Sequence, residues 1–379
     1  MLELPPLSLY IHIPWCVRKC PYCDFNSHKA NGELPEQDYL EALLEDFSID
    51  LVHAQGRELQ SIFIGGGTPS LMSPDFFDGL LNGLSDSINF VTDIEITLEA
   101  NPGTAEANRL ADYRSLGINR LSLGIQSFND HALKALGRIH DGGEARTAIG
   151  IARQAGFDNV NLDIMYALPG QSLEQALLDL REAISFEPAH LSWYQLTVEP
   201  NTAFYRRPPT LPNEDLALSM MNSGQAQLGQ AGLSRYEISA YAIPGHESRH
   251  NLNYWHFGDY LGIGAGASGK ITRTENNQIF RSRKVRQPTH YLSSQGAYQA
   301  EWQMVEEDDL DVEFMMNSLR LTDGFDAELY ERRTGQSFSA IIKKLESLQD
   351  EGLLRLISSR VVPTEKGTLF TNSLLEQFL

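Results

Sequence analysis

Residues Leu7 to Phe25 read LSLYIHIPWCVRKCPYCDF. The first seven form an apolar run of strand-favouring residues, Pro14 interrupts it, and Cys16, Cys20 and Cys23 follow in the spacing C-x3-C-x2-C. A strand that delivers thiols into a short loop brings three sulfurs together at small entropic cost. These are the only cysteines in 379 residues, so a disulfide framework is excluded, and the odd count points to a reducing cytoplasm.

Working outward, the run at Leu7–Ile13 is the first of six. Similar strands are expected at Ser61–Ile64, Ile94–Ala100, Arg120–Ile125, Asn159–Met165 and Leu191–Thr197. Between them, stretches near 36–53, 74–87, 105–115, 143–155 and 172–186 carry Ala, Leu, Glu and Arg at helical spacing. Near-continuous apolar strands alternating with helices predict an α/β fold with a parallel sheet, either doubly wound or an incomplete TIM-like barrel. The turn RRPPTLP at 206–212 marks a break, followed by a helix-like stretch at 214–231 and an aromatic, Gly-rich region to about residue 298. Helices near 312–320, 325–334 and 338–351, with short strands at Leu353–Ile357 and Val361–Pro363, predict a small winged-helix-like C-terminal domain. The expected division is 1–205 for the core, 206–298 for a closing segment and 299–379 for the C-terminal domain.

Acidic residues outnumber basic ones 50 to 30, a formal charge of −20. Such a chain is repelled by phosphate backbones, and residues 301–379 hold sixteen acidic and eight basic side chains, so nucleic-acid binding is disfavoured despite the winged-helix pattern. No cationic leader and no apolar stretch near eighteen residues is present, so neither a signal peptide nor a membrane span is expected.

The three thiols admit more than one metal chemistry. Structural zinc wants four ligands, which His12 or His28 would complete, and a redox-sensing thiol group is a second alternative. A [4Fe–4S] cluster also takes four ligands, so three cysteines would leave one iron open to a small molecule. The stretch Tyr10–Phe25 resembles the signature of radical S-adenosylmethionine (SAM) enzymes, in their oxygen-independent coproporphyrinogen III oxidase branch. The resemblance continues through G-G-G-T-P at 65–69, L-E-A-N-P at 98–102, L-G-I-Q-S at 123–127, L-G-R-I-H at 136–140 and L-D-I-M-Y at 162–166. It implies a partial (β/α)6 barrel with Cys16, Cys20 and Cys23 on a [4Fe–4S] cluster whose open iron chelates SAM, and reductive cleavage of the sulfonium to a 5′-deoxyadenosyl radical. Carried over motif by motif, it assigns Tyr10, Gly66, Gly67, Thr68, Glu99, Gln126, Arg138 and Asp163 to SAM. The glycines would let backbone approach the ligand and offer it amides, and Glu99 at a strand's end could hold a cationic amine.

Within that branch, the oxidases carry a fourth cysteine two residues after the third, where this chain has Phe25. The pattern is that of the HemW-type heme chaperones, and propionate decarboxylation is not expected. His250-Asn251-Leu252-Asn253-Tyr254-Trp255 matches the H-N-x-x-Y-W motif associated with heme in that group. It implies an axial imidazole from His250 and ring packing by Tyr254 and Trp255, with His246 and His256 as rival ligands. The implied function is to bind heme and deliver it to respiratory heme enzymes; anaerobic coproporphyrinogen III oxidase is the alternative. Whether SAM is cleaved, and whether the chain is a monomer or a homodimer, is left open. Lys270, Arg273, Arg281, Arg283, Lys284 and Arg286 face one acidic residue, Glu275, in the segment 270–290. That reversal suggests a docking surface for propionates, an acidic partner or anionic lipid, hence weak peripheral contact with the inner face of the cytoplasmic membrane. The run Gly262-x-Gly264-x-Gly266-x-x-Gly269 is expected to be a tight turn rather than a phosphate loop.

Overall fold

The computed structural model describes residues 1–103 and 109–379. Its first strand, β1 (Leu7–Ile13), alternates more strictly than the sequence reading allows. Leu7, Leu9, Ile11 and Ile13 are fully buried in one core with Tyr39, Leu43 and Phe47 of helix α1 (Glu36–Asp50). Ser8 and Tyr10 take the opposite face, where the Ser8 hydroxyl lies 2.8 Å from that of Ser61 and the Tyr10 ring stacks on Phe63. Strands of a barrel have apolar outer faces against helices, so a polar inner face is left free for function.

Strands β2 (Leu59–Gly66), β3 (Phe90–Ala100), β4 (Arg120–Gln126), β5 (Asn159–Tyr166) and β6 (His190–Gln195) follow β1 in parallel, each next to its predecessor. The connections carry α2 (Pro74–Ser85), α3 (Leu110–Ser115), α4 (Gly142–Gln154) and α5 (Leu173–Ser185), and α6 (Glu214–Gln230) follows β6. The expected helix over 105–115 is thus seen from Leu110, its first residues lying outside those described. Asp141 and Ser172 open α4 and α5 with capping boxes, satisfying amides that a helix start leaves unpaired.

At one edge β7 (Ala240–Ala242) runs antiparallel to β6. At the other, β8 (Asp259–Ile263) adds in parallel to β1 and leads into antiparallel β9 (Ser268–Arg273), β10 (Gln278–Lys284) and β11 (Gln299–Met304). The ends of the sheet do not pair with each other among the described residues, so the barrel is partial, as the resemblance implies. Helix α7 (Arg249–Trp255), which carries the H-N-x-x-Y-W residues, packs against β1, β2 and β8. The glycine run begins in the strand β8 and is the tight turn expected of it. It forms the turn into β9, with Gly264 at φ +98° and Gly266 at φ +83°.

The C-terminal domain comprises α8 (Leu310–Ser318), α9 (Ala327–Thr334), α10 (Ile342–Asp350) and a three-stranded antiparallel sheet of Phe325–Asp326, Leu354–Ile357 and Arg360–Pro363. Phe314, Tyr330, Leu345 and Val361 centre its core, which also takes in Leu2, Phe257 and Ile279 from the barrel side. The boundary expected at residue 299 falls too early, because Gln299–Met304 pairs with β10 and belongs to the large sheet.

The basic segment is a second correction. Lys270 is buried 3.0 Å from Asp259, Lys284 is buried 2.6 Å from Asp46 and 2.7 Å from Asp50, Arg281 pairs with Glu313, and Arg283 lies 3.4 Å from Glu301. Four of the six cations are therefore neutralised by carboxylates distant in sequence. They staple the closing strands to the barrel, and the membrane-docking expectation keeps, among the described residues, only Arg273 and Arg286 outside carboxylate pairs.

Candidate functional site

The cysteine loop is closed by its own backbone. Trp15–Cys16 pairs in parallel with His28–Lys29, the Ala30 amide donates to the Cys16 carbonyl at 2.8 Å, and the Asn26 amide group donates to the carbonyls of Ala265 and Arg286. Cys16, Cys20 and Cys23 thereby line one cavity of about 530 Å³ at the C-terminal ends of the barrel strands. Burial pushes the Cys16 thiol up, partly offset by the hydroxyls of Thr68 and Ser27.

Gly66, Gly67, Thr68, Glu99, Gln126, Arg138 and Asp163 line the same cavity, so seven of the eight residues expected around SAM come together. Tyr10 does not reach it: its hydroxyl is 2.9 Å from His12 Nδ1, deeper among the strands. The glycines serve a purpose other than the expected one. The amides of Gly66, Gly67 and Thr68 already donate to Glu99 Oε2, the Ile13 carbonyl and the Trp15 carbonyl at 3.0, 2.7 and 2.8 Å. A Cβ at Gly67 would sit 2.4 Å from the Trp15 oxygen, and Gly66 holds φ +118° over the His12 ring. Glycine is required because two loops press together, not to offer free amides to a ligand.

The carboxylates carry the electrostatics. Asp163 accepts from Ser122 Oγ at 3.0 Å and Asn161 Nδ2 at 2.9 Å, and burial raises its pKa against those bonds. Glu99 is pushed up to about 7 by burial and then by the Asp163 charge, with the Gly66 amide opposing. Among the described residues, neither forms an ion pair. Two carboxyl groups facing the cavity, neither paired with the arginines that also line it (Arg18, Arg138 and Arg320), offer a receptor for a positively charged ligand. Arg138 donates to the Gly124 carbonyl at 2.7 Å, to Asn101 and, at 3.8 Å, to the sulfur of Cys20. Gln126 sits at φ +67° and accepts from the Tyr194 hydroxyl at 2.7 Å. Strain at that position holds its amide at the cavity wall.

Sequence reasoning missed Tyr194 and Arg320 and named Asn251 only as a motif position without a role; all three are at the cavity. Tyr194 was legible in principle, since its spacing from Ser192 puts both on the inner face of β6. Arg320 arrives from the C-terminal domain and stacks 4.4 Å over Trp255, a contact no local pattern announces.

Helix α7 divides its motif between two environments. Asn251 and Trp255, four residues apart, line the cavity. His250 and Tyr254, on another face, do not: His250 is 1% exposed, with Nδ1 3.0 Å from Ser61 Oγ and Nε2 2.7 Å from the Tyr254 hydroxyl. Burial lowers its pKa to about 3, so it is a neutral imidazole at pH 7. The expected axial ligation by His250 is corrected on this geometry, because both ring nitrogens are engaged and the residue lies off the cavity. His12 is likewise committed, to Tyr10 and the Asn26 carbonyl, and cannot complete a zinc site. Among the described residues, no three His, Cys, Asp or Glu side chains converge on the point a single ion would occupy. Three thiols spread along one wall, with no fourth cysteine in the chain, fit instead a cluster that takes one sulfur on each of three irons.

Comparison with known proteins agrees with this architecture. Residues 10–183 match the family model for the radical SAM superfamily, and residues 305–370 match the HemN C-terminal domain. The chain is 50% identical over its whole length to all of the Escherichia coli (strain K12) heme chaperone HemW. It is 34% identical to the Bacillus subtilis (strain 168) heme chaperone HemW, covering 98% of this chain and 99% of the relative. In fold it is similar to the radical SAM coproporphyrinogen III oxidase HemN of Escherichia coli, with TM-score 0.83, 24% identity and coverage of 99% of this chain and 90% of that one.

Proposed function

The chain belongs to the HemW family of heme chaperones, and from that premise we propose that it binds heme and passes it to respiratory heme enzymes in the cytoplasm, with a [4Fe–4S] cluster and SAM in the cavity described above. The observation that carries the cofactor assignment is a single cavity in which three thiols stand near two carboxyl groups that, among the described residues, form no ion pair. Cys16, Cys20 and Cys23 would hold the cluster, which when bound supplies an electron to the SAM sulfonium. Glu99 and Asp163 balance the ligand's positive charge and orient it. Arg138 keeps Cys20 and the β4 end in register through its bonds to both, and Gln126 offers its amide beside Tyr194. Gly66 and Gly67 let the strand end pack on the cysteine loop, and Tyr10 supports His12 beneath it.

Heme is proposed to meet the protein at α7 through Trp255, whose ring is at the cavity wall, while His250 and Tyr254 fix the helix that presents it. Two features favour chaperone over oxidase: the full-length likeness to HemW relatives, and Phe25 in place of the oxidases' extra cysteine. No helix among the described residues is long and apolar enough to cross a membrane. The deciding experiment titrates the anaerobically reconstituted protein with heme and with coproporphyrinogen. Heme should bind with a shifted absorption band, and coproporphyrinogen should release no carbon dioxide; decarboxylation, or no heme binding, overturns the reading.

A further inference from the structure

Inside the barrel, behind Asp163, stands a row of polar side chains that the cofactor assignment does not use. Ser122, Asn161 and His190 lie side by side in register on β4, β5 and β6, and Asp163 follows Asn161 by two residues, on the same face of its strand. All three residues of the row are buried, so their polar atoms need partners within the fold. His190 Nδ1 lies 2.6 Å from Asn161 Oδ1, and its Nε2 lies 2.8 Å from the hydroxyl of Tyr236, a residue between α6 and β7. The Asn161 amide nitrogen donates to Ser122 Oγ at 2.8 Å and to Asp163 Oδ1 at 2.9 Å, and Ser122 Oγ donates to Asp163 Oδ2 at 3.0 Å. Both oxygens of Asp163 are therefore supplied, directly or through Ser122, by one amide group.

The ends of the row fix the direction of every hydrogen bond in it. Ser248, which caps α7, donates its backbone amide to the Tyr236 hydroxyl oxygen at 3.3 Å, and a backbone N–H can only donate. Among the described residues that hydroxyl has one acceptor in reach, His190 Nε2, so its proton points there. His190 then carries its own proton on Nδ1 and donates to Asn161 Oδ1; burial, and after it the Arg120 charge, keep the ring neutral. The Asn161 carbonyl oxygen is held from that side, also by Ser192 Oγ at 3.1 Å, which turns the NH2 group toward Asp163. The opposite direction would set the Asn161 carbonyl against a carboxylate, acceptor facing acceptor. Asp163 depends on these donors, because burial works against its charge. We propose that His190, which does not line the cavity, is a positioning residue: through Asn161 it keeps both Asp163 oxygens supplied with donors and aimed at the ligand, and so sets the affinity for SAM. The inference rests on the assignment of SAM to this cavity.

Nitrogen NMR of the full chain, isotope-labelled at its histidines and free of iron, reads the bond directions without any ligand. His190, identified as the histidine whose signals move in Tyr236→Phe, should be neutral at pH 7 with its proton on Nδ1; a proton on Nε2 overturns the proposal. Two variants then separate positioning from packing. His190→Asn keeps an amide donor where Nδ1 stood, and His190→Gln keeps an acceptor where Nε2 stood, so each loses one of two buried bonds and both should unfold at similar denaturant concentrations. In the anaerobically reconstituted protein, calorimetry should find SAM affinity within about threefold of wild type in His190→Asn and weakened about tenfold or more in His190→Gln, the size expected when a charged group loses a donor. Equal affinities in the two variants overturn the proposal, and if either fails to fold, the wild-type proton position decides. Asp163→Asn tells the two readings apart. If it binds SAM as wild type does, the placement of SAM falls and the role of His190 falls with it; if it is weakened while His190→Gln is not, the positioning alone is overturned.

Discussion

The Nε2 of His250 lies 2.7 Å from the hydroxyl of Tyr254, one turn further along the same helix, and its Nδ1 lies 3.0 Å from Ser61 Oγ on β2. The pair pins α7 to the barrel's inner face, helped by Glu95, whose carboxylate accepts from the amides of Arg249 and His250. Asn251 and Trp255 are thereby turned toward the cavity.

If His250 and Tyr254 act as one unit, their substitutions are not additive. Tyr254→Phe leaves a buried imidazole nitrogen unpaired and should cost about 1–3 kcal/mol, and His250→Ala about 2–4 kcal/mol with its added cavity. The double variant should be less destabilised than the sum, by about 0.5–3 kcal/mol. Denaturant unfolding of the protein without heme reads this directly. Additive costs would show the two residues to be independent.

What the sequence made legible here follows from periodicity and local spacing. The strand Leu7–Ile13 was placed to the residue, and the inner-face assignments of Glu99 and Asp163 followed from motifs confined to single strands. What it hid depends on distant partners. The charge on Lys284 looks available until Asp46 and Asp50, more than two hundred residues earlier, are seen beside it. The run HNLNYW suggested a ligand because a histidine's accessibility is set by the surrounding fold, and only Ser61 and Tyr254 in place reveal a clasp.

Glu99 predicts a proton signature for ligand binding. Its carboxyl, raised to about 7, is about half protonated at pH 7 in the empty cavity. A sulfonium or ammonium beside it favours the charged form, so the ligand drives the proton off, and affinity should rise from pH 6 to pH 8. Calorimetry of SAM binding in two buffers of different ionisation enthalpy should show net proton release at pH 7. Glu99→Gln should abolish that release and weaken binding by about tenfold or more. Release that persists in Glu99→Gln would assign the proton to another group.

The cysteines predict an all-or-none metal content, because the chain holds no fourth thiol to substitute. Anaerobic reconstitution should give about four irons and four sulfides per chain. Cys16→Ala, Cys20→Ala and Cys23→Ala should each lose most of that iron and the associated charge-transfer absorption. The folded barrel should remain, since Cys20 and Cys23 are only partly buried. A full complement of iron in any one of these variants would remove that residue from the ligand set.

Lys284 predicts a stability defect whose size depends on pH. Its ammonium is buried 2.6 Å from Asp46 and 2.7 Å from Asp50, and the Tyr291 hydroxyl donates to Asp46 at 2.7 Å. Lys284→Met removes the only cation touching these carboxylates among the described residues, and breaking such a buried pair costs about 3–5 kcal/mol. The sign with pH follows from linkage. Burial already pushes Asp46 up to about 6 against the opposing charge of Lys284, and without the lysine it rises further, so the folded state binds more protons and the variant loses more stability than wild type as pH climbs through that raised pKa. Wild type and Lys284→Met should therefore diverge in melting temperature from pH 5 to pH 8. Adding Asp46→Asn and Asp50→Asn should recover a large part of the loss at pH 8, because no uncompensated charge is left inside. If the triple variant melts no higher than Lys284→Met, packing of the lysine's methylene stem, and not its charge, holds β10 to α1.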